Sequence, residues 1–199
     1  MSSLADQLKQ KKNKLSHNST KVTSADGKCW IEDINSDDKK TVLSANHGFV
    51  VDTKPDLRIS KILDRLYVGS QDVAHDLDLL SANKITHILN VASGVVNLYD
   101  GWFIYKTKEA LDVPEFSLIE IFDECCEFMH NCINCGGNVL IHCNAGVSRS
   151  ATIAIAYLMK YYSMTYDEGF RFVKSKRSFI RPNEGFINQL KVYEKKLDI

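Results

Sequence analysis

The chain has no excess of charge of either sign. Its 25 Lys and Arg residues stand against 25 Asp and Glu in a length of 199. The basic bias that marks a nucleic-acid binder is missing, so no nucleic-acid partner is expected. No apolar run approaches the ~20 residues of a membrane-spanning helix, and no membrane partner is expected. No short secretory apolar segment precedes the cysteines either, which makes a reducing compartment, cytoplasmic and also nuclear, the expectation. The six cysteines, Cys29, Cys125, Cys126, Cys132, Cys135 and Cys143, are then free thiols. Cys132-x-x-Cys135 lacks a second pair at zinc spacing, so neither a metal site nor a cofactor is expected. A nucleotide-binding loop is excluded, because Gly146 is followed by Val147 and not by a Gly-Lys-Ser/Thr run. No internal repeat is visible.

Hydrophobic residues make up 44% of the chain, ample for one core. The length suits one domain with an extension. Residues 1–55 read as a polar N-terminal extension, partly disordered, in which Leu4, Leu8 and Leu15 can line one face of a short helix. Residues 56–199 read as the folded domain. Ile62-Leu63 and Leu66-Tyr67-Val68 flank a turn at Asp64-Arg65 and read as strands. Ser70 can cap a helix through Val73, Leu77 and Leu80. Ile85 to Val91 reads as a core strand, and Phe103-Ile104-Tyr105 as another. Ser117-x-x-Glu120 and Thr165-x-x-Glu168 are capping boxes opening helices to about Asn134 and Lys176. Cys125, Cys126 and Cys132 share an apolar stripe with Leu118, Phe122 and Met129, so core filling is their expected role. A last amphipathic helix follows Pro182 and carries Phe186, Leu190, Tyr193 and Leu197. Strands alternating with helices predict an α/β domain, a mostly parallel central sheet flanked by helices.

One stretch carries the chemistry. Val139 to Ile141 reads as a buried strand, His142-Cys143 ends it, and Arg149 opens an apolar helix from Ala151 to Met159. A strand, a tight loop and a helix start turn a row of backbone N–H groups toward one spot, which binds an anion. Cys143 sits at that spot. Helix N-termini favour the thiolate form of a cysteine, and the thiolate is the nucleophile. Arg149 offers a planar fork suited to two phosphate oxygens. Ser150 places a hydroxyl within reach of the sulfur. A structural cysteine beside a capping serine is the plainer alternative, and the His-Cys-x5-Arg-Ser combination argues against it.

That combination resembles the signature of the cysteine-dependent protein tyrosine phosphatases, with the filling Asn144-Ala145-Gly146-Val147-Ser148 of their dual-specificity branch. The resemblance runs from about Leu57 to Leu190. It continues in Leu66-Tyr67-Val68-Gly69-Ser70, in Thr86-His87-Ile88-Leu89-Asn90-Val91-Ala92 and in Pro182-Asn183-Glu184-Gly185-Phe186. Gly69 to Asp78 is similar to the small atypical members without a kinase-docking domain, in particular those that regulate a stress-activated protein kinase pathway. The resemblance implies a protein tyrosine phosphatase-like fold and phosphoprotein substrates, stress-activated kinase pathway components among them. It implies hydrolysis of phosphotyrosine and phosphoserine or phosphothreonine through a phosphocysteine at Cys143. The amides of Asn144 to Arg149 and the Arg149 side chain would hold the phosphate, and Ser150 would help release the intermediate. The family takes its general acid from an aspartate about thirty residues upstream, on a separate loop. On the residues alone, Glu109, Asp112 and Glu115 stand equal; the resemblance points to Asp112, thirty-one residues before Cys143. His142 is expected to orient the loop or tune the thiolate, and Asn183 to brace the loop.

Two rival readings stay in view. Phosphoinositide phosphatases of the superfamily often carry lysines inside the loop, whereas positions 144–148 here are uncharged. A non-catalytic phosphate-binding scaffold would typically have lost the cysteine, and Cys143, Arg149 and Asp112 are all present. No long insert resembles the phosphotyrosine-recognition loop of tyrosine-only enzymes, which implies a shallow pocket.

Overall fold

The computed structural model describes residues 55–199 in full and, before them, the backbone of three strands. The chain divides into two units, Met1–Val51 and Asp52–Ile199. In the first, β1 (Ser19–Thr23), β2 (Lys28–Asp33) and β3 (Thr41–Ala45) form an antiparallel sheet in that order. The reading of residues 1–55 as a polar extension did not include these strands. The helix considered at Leu4, Leu8 and Leu15 lies outside the described residues.

The second unit is built on a five-stranded sheet. Its strands are β4 (Ser60–Leu63), β5 (Leu66–Gly69), β6 (His87–Asn90), β7 (Ile104–Thr107) and β8 (Val139–His142), in the spatial order β4-β5-β8-β6-β7. Only the β4–β5 hairpin is antiparallel, and Arg65 in its turn takes a left-handed φ of 67°. β8 lies in the middle, and all four of its residues are buried. Alternation along the strands sorts the core onto two faces. Leu66, Val68, Leu89, Val139 and Ile141 face the larger cluster, while Tyr67, Ile88 and Leu140 face the smaller one.

The larger cluster is covered by α3 (Phe122–Asn134), α4 (Arg149–Tyr162), α5 (Tyr166–Lys176) and α6 (Glu184–Leu197). α4 is buried without a break from Arg149 to Met159, as its apolar sequence predicted. Cys125, Cys126, Met129 and Cys132 of α3 fill the core beside it. Asp123 joins three helices: its Oδ1 accepts from Lys160 Nζ at 2.7 Å and Tyr193 Oη at 2.7 Å, and its Oδ2 accepts from Lys196 Nζ at 2.8 Å. Among the described residues no helix is long and apolar enough to cross a membrane.

Three local expectations need correction. The helix that Ser70 caps is two helices, α1 (Gln71–Ala74) and α2 (Leu77–Ala82), because Asp76 caps a second start by accepting from Leu79 N at 2.9 Å. The capping box at Ser117 does not form. A 3₁₀ turn, Leu118–Ile121, precedes α3, and Ile119 N donates instead to Gln189 Oε1 of α6 at 2.9 Å. The strand read at Phe103-Ile104-Tyr105 is β7, which runs through Ile104–Thr107 and starts one residue later than Phe103. The Thr165–Glu168 box is present in both directions.

Candidate active site

His142 closes β8 and pairs in register with Gly69 of β5 and Asn90 of β6, so the following loop leaves the sheet at the C-terminal ends of its parallel strands. Ligands bind there in open α/β sheets. Each carbonyl from Asn144 to Ser148 accepts a hydrogen bond from a residue outside the loop. Asn144 O accepts from Gln71 N at 2.9 Å and Val147 O from Arg181 N at 2.8 Å. Ala145 O and Gly146 O accept from Arg177, at 3.2 Å and 2.7 Å. Ser148 O accepts from Thr152 N and Thr152 Oγ1, both at 2.9 Å. The Gly146 amide is turned toward the base of the loop. Gly146 N meets the Cys143 sulfur there at 3.2 Å. Gly146 has a left-handed φ of 68°, and a Cβ on it would lie 2.5 Å from both Gly69 O and Arg177 Nη2, so no other residue fits the bend.

Cys143 is 1% exposed at the base of this loop. Ser150 Oγ lies 3.3 Å from its sulfur. Arg149, the first residue of α4, is 4% exposed. Its Nη1 donates to Ala110 O at 2.8 Å and its Nη2 to Asn144 Oδ1 at 2.7 Å. Its Nε is buried without a hydrogen-bond partner among the described residues, with Asp112 Oδ2 at 3.6 Å. Such a donor costs about 1–3 kcal/mol until an acceptor meets it.

Of the three carboxylates left open by the residues alone, Asp112 is the one brought to this loop. Its Oδ1 accepts from Ser148 Oγ at 2.7 Å and from Asn183 Nδ2 at 2.9 Å. Asn183 thereby touches Asp112, and it also caps α6 by accepting from Phe186 N at 3.0 Å. His142 is 1% exposed, and its Nδ1 lies 3.4 Å from Cys143 O. Burial pushes its pKa down to about 4, aided by the charges of His75 and Arg149 and opposed by its contact with Cys143 O. At neutral pH it is therefore uncharged.

Two residues were missed by sequence reasoning. Arg177, with no side-chain exposure, sits behind the loop and uses all three of its nitrogens. Nε and Nη2 hold the loop carbonyls, Nη1 donates to Arg58 O at 2.7 Å, and Nη2 also donates to Asp56 Oδ2 at 2.8 Å. Asp56 is held in turn by Ser70 Oγ, which donates to its carbonyl at 2.6 Å. Nothing in a Lys-Arg-Ser run at 176–178 distinguishes a buried arginine from a solvated one. Among the described residues no three or more of His, Cys, Asp and Glu gather as for a metal ion.

The chain is similar to known proteins. The family model "Dual specificity phosphatase, catalytic domain" matches residues 66–196. Dual specificity protein phosphatase 19 of Mus musculus is 48% identical over 147 residues, which is 74% of this chain and 67% of that protein. A probable dual specificity protein phosphatase of Dictyostelium discoideum is 37% identical and covers 96% of this chain and 97% of its own length. The crystal structure of the human tyrosine phosphatase-like serine/threonine/tyrosine-interacting protein superposes with a TM-score of 0.69 at 33% identity, over 71% of this chain and 98% of that one. With the family model spanning most of the chain and relatives this similar, the chain belongs to the dual-specificity phosphatases, hydrolases that act on phosphoproteins.

Proposed function

We propose that this phosphatase works through a phosphocysteine at Cys143. The Cys143 sulfur attacks phosphorus while Asp112 gives its proton to the leaving oxygen, and the bond from phosphorus to that oxygen breaks. Water then attacks the phosphocysteine, the Asp112 carboxylate takes its proton, and inorganic phosphate leaves as the sulfur–phosphorus bond breaks. Ser150 Oγ is placed to hydrogen-bond the departing sulfur. The inward amides of Asn144 to Arg149 and the unpaired Arg149 Nε supply fixed positive potential for the phosphoryl oxygens. The observation that supports the reading is that Cys143, Arg149 and Asp112 lie around one loop whose Gly146 amide meets the sulfur.

The substrates we propose are phosphotyrosine and phosphoserine or phosphothreonine side chains on components of a stress-activated kinase pathway. The uncharged loop interior, residues 144–148, supports a singly phosphorylated side chain over a multiply phosphorylated inositol. The resemblance of Gly69 to Asp78 supports the pathway. The test compares phosphopeptides, phosphorylated kinases of such a cascade and phosphoinositides as substrates, with Cys143→Ser as the control. Cys143→Ser should lose turnover and keep vanadate binding. Residual aryl phosphate hydrolysis by Cys143→Ser would sink the mechanism, and faster turnover of phosphoinositides would sink the substrate assignment.

A further inference from the structure

The loop that carries Asp112 is gripped by the start of α6 at three successive places. Asn183 donates to Asp112 itself. Two residues on, Gly185 packs against Pro114 so closely that a Cβ on it would lie 2.0 Å from Pro114 O, 2.5 Å from its Cα and 2.6 Å from its carbonyl carbon. These are backbone atoms, so no side-chain rotation relieves the contact. One turn further, Gln189 spans the end of the same loop. Its Nε2 donates to Phe116 O at 2.8 Å, and its Oε1 accepts from Ile119 N at 2.9 Å.

We infer that Gly185 and Gln189 are positioning residues for the general acid, holding Asp112 over the phosphate loop before substrate arrives. The inference rests on the proposed role of Asp112 as proton donor. Gly185 acts through its lack of a side chain. Glycine inside a helix costs about 0.5–1 kcal/mol relative to alanine, so helix propensity alone favours alanine there; the approach of Pro114 opposes it. A methyl group at 185 would move the loop and not the helix. The helix start is pinned by Asn183 N donating to Ser148 Oγ at 3.3 Å and by the fully buried Phe186. Pro114 and Glu115 are exposed and free to move outward. Outward movement draws Asp112 away from Ser148 and from the reacting oxygen. The phosphate loop, held by Gln71, Arg177 and Arg181, is untouched.

The experiment measures kcat/KM for the wild type, Gly185→Ala, Gln189→Leu and Asp112→Asn. Each is assayed on one aryl phosphate with a basic leaving phenol and one with an acidic leaving phenol, together with inhibition by vanadate. Proton donation matters for the first substrate and little for the second. Gly185→Ala should slow the basic substrate about 10²-fold, as a misplacement near 1 Å can, and the acidic substrate far less, with vanadate inhibition unchanged. Gln189→Leu, which brings no new atom against Pro114, should show the same selectivity to a smaller degree and carries the test if Gly185→Ala does not fold. If both variants slowed the two substrates equally while Asp112→Asn kept its leaving-group dependence, the positioning role would be wrong and the acid assignment would stand. If Asp112→Asn itself showed no such dependence, both would fall.

Discussion

Cys143 and Cys125 are both buried, in different surroundings. Burial in the apolar core pushes the Cys125 thiol up to about 12 and the Cys126 thiol well above its ordinary range, so both stay protonated and act as packing. Cys143 receives the Gly146 N–H and lies beside the Ser150 hydroxyl. The motif that separates them was legible because it is contiguous, with the proposed nucleophile, the proposed anion-binding amides, the arginine and the serine all falling between 143 and 150. Arg149 shows what the geometry adds. Two of its nitrogens are spent on Ala110 O and Asn144 Oδ1, which fixes the plane of the guanidinium and the direction of the free Nε. A lysine keeps the charge and loses that plane. Arg149→Lys should therefore lower kcat/KM on an aryl phosphate by about 10²–10³-fold, the range for losing an oriented donor to the transition state, and come close to Arg149→Ala. Retention of most of the activity would show that charge alone suffices.

At the scale of elements, caps were legible where donor and acceptor lie on the same turn and illegible where another element competes. Thr165 and Glu168 satisfy each other within α5. Ser117 and Glu120 have the same spacing, yet Gln189 of α6 takes the Ile119 amide and the first turn tightens to 3₁₀. The phosphate loop is likewise shaped by elements outside it. Arg177, at the end of α5, reaches the Ala145 and Gly146 carbonyls and is anchored to Asp56 at the entrance to the domain. Arg177→Met should leave the two carbonyls and the Asp56 carboxylate short of a donor. Breaking such a buried pair costs about 3–5 kcal/mol, so urea denaturation should show a loss of that order. Vanadate inhibition should weaken as well, because the amides opposite those carbonyls lose their orientation. A destabilised variant that bound vanadate as well as the wild type would show that Arg177 supports the fold without shaping the loop.

For the whole domain, the buried His142 sets a pH dependence. In the unfolded chain a histidine takes its proton near pH ~6.5, whereas burial holds the native His142 neutral down to about 4. Between these values the unfolded state binds more protons, so stability is complete above pH ~6.5 and falls as the pH drops toward 4. The gap corresponds to about 3 kcal/mol. Urea denaturation at several pH values between 4.5 and 7 should show this slope in the wild type and a flatter one in His142→Gln; equal slopes would refute the assignment. The same division runs through the whole protein. The α/β alternation, the central strand, the buried helix and the Cys143–Ser150 motif were determined by the sequence itself, because hydrophobic period and loop chemistry are local. Asp112 could be chosen over Glu109 and Glu115 only by resemblance; its contacts with Ser148, Arg149 and Asn183 exist only in the folded chain. Arg177 with Asp56, and Gly185 with Pro114, had no local signal. Their partners lie 121 and 71 residues away along the chain, and only the packing of α5 and α6 against the loops brings a buried charge to its acceptor and a bare backbone to its neighbour.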